Sequence, residues 1–82
     1  MSNWIEDLRE IYKILEKHGF YQLKEELFET QLSGGTGWEI FLLVTTKLRD
    51  IEYKNPEVYE LIKKKSDSIF DFGIKNGFLK KK

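Results

Sequence analysis

The sequence predicts an all-α fold: a compact four-helix bundle in which a helical hairpin is followed by a central helix and a C-terminal helix. Three observations predict it. Apolar residues recur at helical spacing with no strand-like alternation of any length, start and stop signals divide the chain into four segments, and the connections between them are short. A chain of 82 residues fits one domain, residues 1–82, with a modest core. The expected helices cover residues 3–18, 20–32, 36–53 and 55–76.

Asn3 can cap the first helix, with Glu6 and Asp7 placing negative charge at the positive end of its macrodipole. Its apolar face is Trp4, Ile5, Leu8, Ile11, Tyr12 and Leu15. Lys17, His18 and Gly19 close it, and the glycine suits the left-handed position that ends many helices. Phe20 and Tyr21 follow with almost no linker, so the second helix must turn back as an antiparallel hairpin. Phe20, Leu23 and Leu27 are read as inward, Phe28 and Leu32 as flanking, and Glu25, Glu26 and Glu29 as the outer face.

The glycine loop Ser33-Gly34-Gly35 feeds the most apolar helix. Thr36 and Glu39 fit a capping box, in which the threonine oxygen accepts from the Glu39 amide and the glutamate reaches back to the Thr36 amide. Gly37, Phe41, Val44, Leu48 and Ile51 form one stripe, flanked by Trp38 and Leu42 on one side and Ile40 on the other. Leu43 falls on the far side with Glu39, Thr46 and Asp50, where it is either covered or exposed. Asn55-Pro56-Glu57 starts the last helix with a capping asparagine, a proline whose missing amide costs nothing, and an acid in the first turn. That helix points Val58, Ile62, Ile69 and Phe72 inward, with Tyr59, Leu61 and Phe70 on its flanks, while Lys65 and Ser66 interrupt the stripe. Asn76-Gly77 supplies the stop, Phe78 can fold back onto Phe72, and Leu79 with lysines 80 to 82 is expected to fray.

The formal charge sums to zero, yet the first half is acidic: Glu6, Asp7, Glu10, Glu16, Glu25, Glu26, Glu29 and Glu39 outnumber Arg9, Lys13, Lys17 and Lys24. The second half is correspondingly basic, so either the halves attract each other or one surface is acidic. A neutral total is not a nucleic-acid signature. The absence of cysteine excludes disulfides and thiol chemistry, and the chain shows neither a signal-peptide pattern nor an apolar run long enough for a bilayer. A cytoplasmic protein with no membrane association is expected.

Possible chemistry is sparse. Ser33-Gly34-Gly35-Thr36-Gly37 before a helix invites comparison with phosphate loops, but no Gly-Lys-Ser/Thr sequence is present and Glu39 places negative charge where a phosphate would sit. His18 lacks partners in any metal-ligand spacing and reads as a helix-terminal cation. Glu25 and Glu29 read as a solvated helix face. Lys63, Lys64 and Lys65 with the lysine tail could touch nucleic acid, but consecutive lysines splay around a helix and Glu57 and Glu60 repel phosphate. Catalytic residues, metal ligands and cofactors are therefore expected to be none. Trp38 and Leu42 beside Arg49, with the outlying Leu43, are the candidates for a partner-facing patch.

The segment Ser33 to Leu43, Ser-Gly-Gly-Thr-Gly-Trp-Glu-Ile-Phe-Leu-Leu, resembles a pattern in small uncharacterised bacterial all-helical proteins. In these a Gly/Ser turn is followed by Thr-Gly-x-Glu-Ile and a central helix. The resemblance covers roughly the middle third of the chain in motif detail. It implies a bacterial cytoplasmic origin and a helical fold, and no activity. Trp38 stands where that group has a small residue.

The resulting expectation is a non-catalytic protein-binding module, immunity- or antidote-like, whose acidic residues Glu25, Glu26 and Glu29 and patch residues Trp38, Leu42, Leu43 and Arg49 meet a protein partner. Self-association through Leu43, Trp38 and Phe78 is the related possibility. The alternatives are a nucleic-acid-associated regulator using the basic C-terminal half and a small-ligand or phosphate binder at the glycine loop.

Overall fold

The computed structural model describes residues 3–79. It contains four helices in the expected order: α1 Trp4–Lys17, α2 Tyr21–Ser33, α3 Gly37–Lys54 and α4 Pro56–Lys75. The bundle measures 34 × 26 × 26 Å between Cα atoms. Each helix packs on its neighbours in sequence, and α4 closes the ring on α1. Side-chain pairs give the directions. Tyr12 meets Phe28 and Gln31, Glu26 meets Lys47, Phe41 meets Phe72, and Asp7 meets Ser68, so every adjacent pair runs antiparallel. The topology is therefore up-down-up-down.

Local chemistry sets the helix ends. The Asn3 side chain accepts from the Ile5 amide at 3.0 Å. Gly19 and Gly77 both take positive φ, 82° and 77°. In each case the following amide reaches back into the helix, Phe20 to the Leu15 carbonyl and Phe78 to the Gly73 carbonyl, both at 2.8 Å. The glycine amides bond to Glu16 and Ile74, which completes two Schellman motifs.

Two caps differ from expectation. Thr36 Oγ1 accepts from the Glu39 amide at 3.2 Å, but the return bond, from the Thr36 amide to the Glu39 carboxylate, is not made among the described residues, so only half of the capping box forms. Asn55 makes no side-chain cap. It is a single residue shared by two helices: its amide donates to Ile51 in α3 and its carbonyl accepts from Tyr59 in α4. That double duty holds its backbone at φ −135°, ψ 65°, outside the geometry a capping side chain needs.

The core contains Leu8, Ile11 and Leu15 of α1, Leu27 of α2, Phe41, Val44, Leu48 and Ile51 of α3, and Ile62 and Ile69 of α4. The wide apolar surface of α3 is accounted for by α2 and α4 on its sides and α1 side chains across the core, where Trp4 meets Phe41 edge-on at 5.1 Å. Phe72 and Phe78 complete this cluster at 5.9 and 5.3 Å from Phe41. Leu79, expected to fray, is instead half-buried against the core, because the Schellman turn aims the tail back over α4 and Leu79 N bonds the Gly73 carbonyl. Phe78 is likewise half-buried, its ring packed against Phe41 and Phe72. Lysines 80 to 82 lie outside the described residues.

Polar groups enter the core in pairs. Tyr59, read as a flank, is buried, and its phenol shares a 2.8 Å hydrogen bond with the fully buried Ser66 hydroxyl. Asp7 is buried at the α1–α4 contact, where it accepts from Ser68 Oγ at 2.8 Å and faces Lys65 Nζ at 4.0 Å. The Lys65–Ser66 interruption in the α4 stripe is thus filled by partners on α1 and within α4.

The glycine loop is packed rather than open. A Cβ at Gly34 would lie 2.8 Å from the Ile40 amide nitrogen and 2.9 Å from its Cα, although the φ of −81° suits any residue. Backbone there cannot yield without moving the start of α3. Gly34→Ala is expected to cost about 1–3 kcal/mol in urea unfolding, whereas Gly35→Ala, whose Cβ would meet nothing closer than 3.9 Å, is expected to be close to neutral.

Candidate functional site

The partner-facing candidates of the sequence fall on two surfaces. Trp38, Leu42 and Arg49 share the edge of α3 that faces α4, where the Arg49 guanidinium stacks over Phe70 at 5.0 Å. Trp38 is 52% exposed. An open groove of about 360 Å³ at the α3–α4 contact is lined by Arg49, Glu52, Tyr59, Asp67, Phe70, Asp71 and Ile74. Leu43 stands about 140° around the helix from Trp38 and is 41% exposed on the α2 side, so the two are not parts of one patch. Neither one completes the core.

The glutamates belong to the second surface. Glu26 bridges α2 to α3 through Lys47 Nζ at 2.8 Å, and Lys47 also faces Asp50 at 3.8 Å. The hydrogen bond and charge of Lys47 hold the Glu26 carboxyl below its ordinary range. Glu25 and Glu29 remain exposed. Leu43, one turn before Lys47, lies level with Thr30, one turn after Glu26, so it borders this same surface.

Between them the structure exposes residues that sequence reasoning missed. Tyr21 is 61% exposed, Phe28 38% and Leu32 67%. With Glu25 they follow a four-three-four spacing that places all of them on one narrow outward stripe of α2. That spacing was available in the sequence, but the apolar residues of α2 spread over about half of its circumference, from Leu23 round to Leu32, and which part of that arc faces inward could not be chosen without knowing its neighbours. Leu27 alone of this helix is fully buried; Phe20 and Leu23 are half-buried. The α2 start also lacks a side-chain cap and a first-turn acid, so packing rather than capping holds this helix in place.

Tyr12 closes the α1 edge of the stripe. Its phenol donates to Gln31 Oε1 at 2.6 Å and its ring meets Phe28 edge-on at 5.9 Å. Burial pushes this phenol far above its ordinary value, and burial raises Tyr59 too, opposed by the Ser66 hydrogen bond. The unfolded chain therefore releases these protons before the folded chain does. The contribution of the two phenols to stability is expected to be level up to about pH 10, the ordinary phenol value, and to fall above it, as urea unfolding from neutral to alkaline pH would show. Tyr12→Phe with Tyr59→Phe is expected to flatten the alkaline fall.

The other candidates are placed as follows. His18 caps the α1 C-terminus in an exposed position. The Glu39 carboxylate lies 3.9 Å from where a Gly35 Cβ would sit, so the glycine loop already has an anionic neighbour. Lys63 and Lys64 are exposed while Lys65 turns to Asp7, so the three lysines do not share a face. Among the described residues no group of three His, Cys, Asp or Glu side chains is arranged to hold a metal ion, and no helix is long and apolar enough to cross a membrane.

Fold and surface together define an all-α, up-and-down four-helix bundle in which α2 leaves an apolar and acidic face uncovered. No family model, curated protein or solved structure matches the chain.

Proposed function

We propose that the chain is a small non-catalytic protein-binding module, acting in a bacterial cytoplasm in the manner of an antidote or immunity protein. The observation that carries this reading is the outer face of α2, where Tyr21, Phe28 and Leu32 stand exposed in one stripe with Glu25 and Glu29. Exposed apolar side chains gathered on one helix face beside charged ones mark interaction surfaces, and tyrosine and phenylalanine are favoured there. The bacterial and cytoplasmic parts of the reading rest on the Thr-Gly-x-Glu-Ile resemblance and the cysteine-free composition.

Affinity capture with the full chain from its source cells, followed by mass spectrometry, tests the proposal. A stoichiometric protein partner is expected, lost when Phe28→Asp and Leu32→Asp are combined and retained when Trp38→Ala is made alone. Recovery of no stoichiometric partner by a chain that sediments as a monomer would overturn it.

A further inference from the structure

We propose that the outer face of α2 receives a basic amphipathic helix: apolar residues at coiled-coil spacing, flanked by lysine or arginine. The inference rests on the reading of the chain as a protein-binding module and names its partner's chemistry.

The shape of the face comes first. Tyr21, Glu25, Phe28 and Leu32 occupy the positions of a two-heptad seam, and helices dock on such seams through their own alternating three- and four-residue spacing. On one side the stripe is bounded by Tyr12 and Gln31, held together at 2.6 Å, and on the other by the Glu26–Lys47 bridge at 2.8 Å. Both edges are therefore pinned by bonds to neighbouring helices, and the seam between them is presented as a ready-made surface.

Charge then selects the occupant. Glu25 sits within the seam and Glu29 along its α3 edge. The nearest cation, Lys24, has its Nζ 3.4 Å from Glu25 and 5.5 Å from the centre of the Phe28 ring, so one lysine accompanies two glutamates. A helix carrying lysine or arginine beside its apolar seam meets this excess with opposite charge.

A second copy of the chain fits less well. In a parallel pair Lys24 would face Glu29 across the edges, but Glu25 would meet Glu25 inside the seam. In an antiparallel pair, two-fold symmetry would lay the edge carrying Glu29 against the same edge of its copy, bringing the Glu25 and Glu29 side chains of both together. Both arrangements concentrate like charge where the apolar contact must form.

The experiment uses two synthetic helical peptides about three heptads long, with leucine at the seam and either lysine or glutamate at the flanks. Each is titrated by fluorescence anisotropy against the full chain, and contacts are mapped by amide chemical-shift changes. The lysine peptide is expected to bind at least about tenfold more tightly than its glutamate twin, with shifts centred on Tyr21, Phe28 and Leu32. Glu25→Lys with Glu29→Lys is expected to weaken it at least about tenfold, and the control pair Glu57→Lys with Glu60→Lys, exposed on α4, by less than about threefold. Equal binding of the two peptides, equal loss in the two double variants, shifts centred elsewhere, or a dimer formed through α2 in sedimentation would each overturn the inference. A captured protein partner whose binding ignores Glu25→Lys and Glu29→Lys overturns this inference alone and leaves the protein-binding reading standing; recovery of no partner overturns that reading itself.

Discussion

Phe41→Ala is expected to lower the free energy of unfolding by about 3–5 kcal/mol, the range for removing a fully buried phenylalanine. Phe41 is completely excluded from solvent and lies where three elements converge: Trp4 of α1 edge-on at 5.1 Å, Phe72 of α4 at 5.9 Å and Phe78 of the C-terminal turn at 5.3 Å. Those neighbours are anchored on separate segments, so they cannot collapse together into the space the ring leaves. A chain of 82 residues has a total stability of about 4–12 kcal/mol by size. The loss is thus a large share of the whole, and at about 4–8 °C per kcal/mol the melting temperature should fall by at least about 12 °C. Thermal unfolding followed by circular dichroism reads this directly. A melting temperature within a few degrees of the parent would show that the aromatic cluster does not hold this end of the bundle together.

Gly73→Val is expected to have the next largest effect, about 3 kcal/mol destabilising. Gly73 is buried on α4 against the Phe41 ring. An added Cβ would sit 2.6 Å from Phe41 Cζ and 2.8 Å from Leu79 Cδ1. The ring cannot swing away, being held by Trp4, Phe72 and Phe78. The smaller change Gly73→Ala separates two physical effects by sign. Helix propensity alone favours alanine by about 1 kcal/mol, while forced contact with the ring disfavours it by about 1–3 kcal/mol. Urea unfolding should show a net loss. A net gain would mean that the α3–α4 contact is looser than the structure has it.

Much of this architecture was legible in the chain. Asn3, Gly19, Thr36 and Gly77 mark helix ends because capping involves a few consecutive residues and the backbone groups within one turn of them. The apolar face of α1 was equally plain, since its spacing admits one inward side: Trp4, Leu8, Ile11, Tyr12 and Leu15 are all buried. Asn55 shows where local reading stops. Asparagine before proline is a sound start signal, but a residue that must end α3 as well as start α4 has its backbone set by both helices, and its side chain makes no cap bond.

The candidate site was less legible. Glu25 and Glu29 read as outward in the sequence and are exposed, but Phe28 and Leu32 read only as flanking and Tyr21 has no assigned side. The apolar arc of α2 is too wide to bury whole, and only contacts with α1 and α3 choose which part of it is covered: Tyr12 takes Gln31, and Lys47 takes Glu26. Helical spacing alone sets Trp38 and Leu43 on different sides of α3, but only packing decides which neighbours they border, α4 for Trp38 and α2 for Leu43.

Four helices, their order and nearly all of their ends are written in the chain, because hydrogen bonding and side-chain spacing within a helix depend on residues a turn or two apart. Tertiary structure alone decided that the ring closes α4 on α1 and that Asp7, Tyr59 and Ser66 are buried as bonded pairs. It also decided that Gly34 and Gly73 are kept small by close approach, and that α2 leaves Tyr21, Phe28 and Leu32 uncovered. Each of these is set by which surfaces meet across the bundle, a choice made between residues far apart in the chain, on which the pattern of any single helix carries no information.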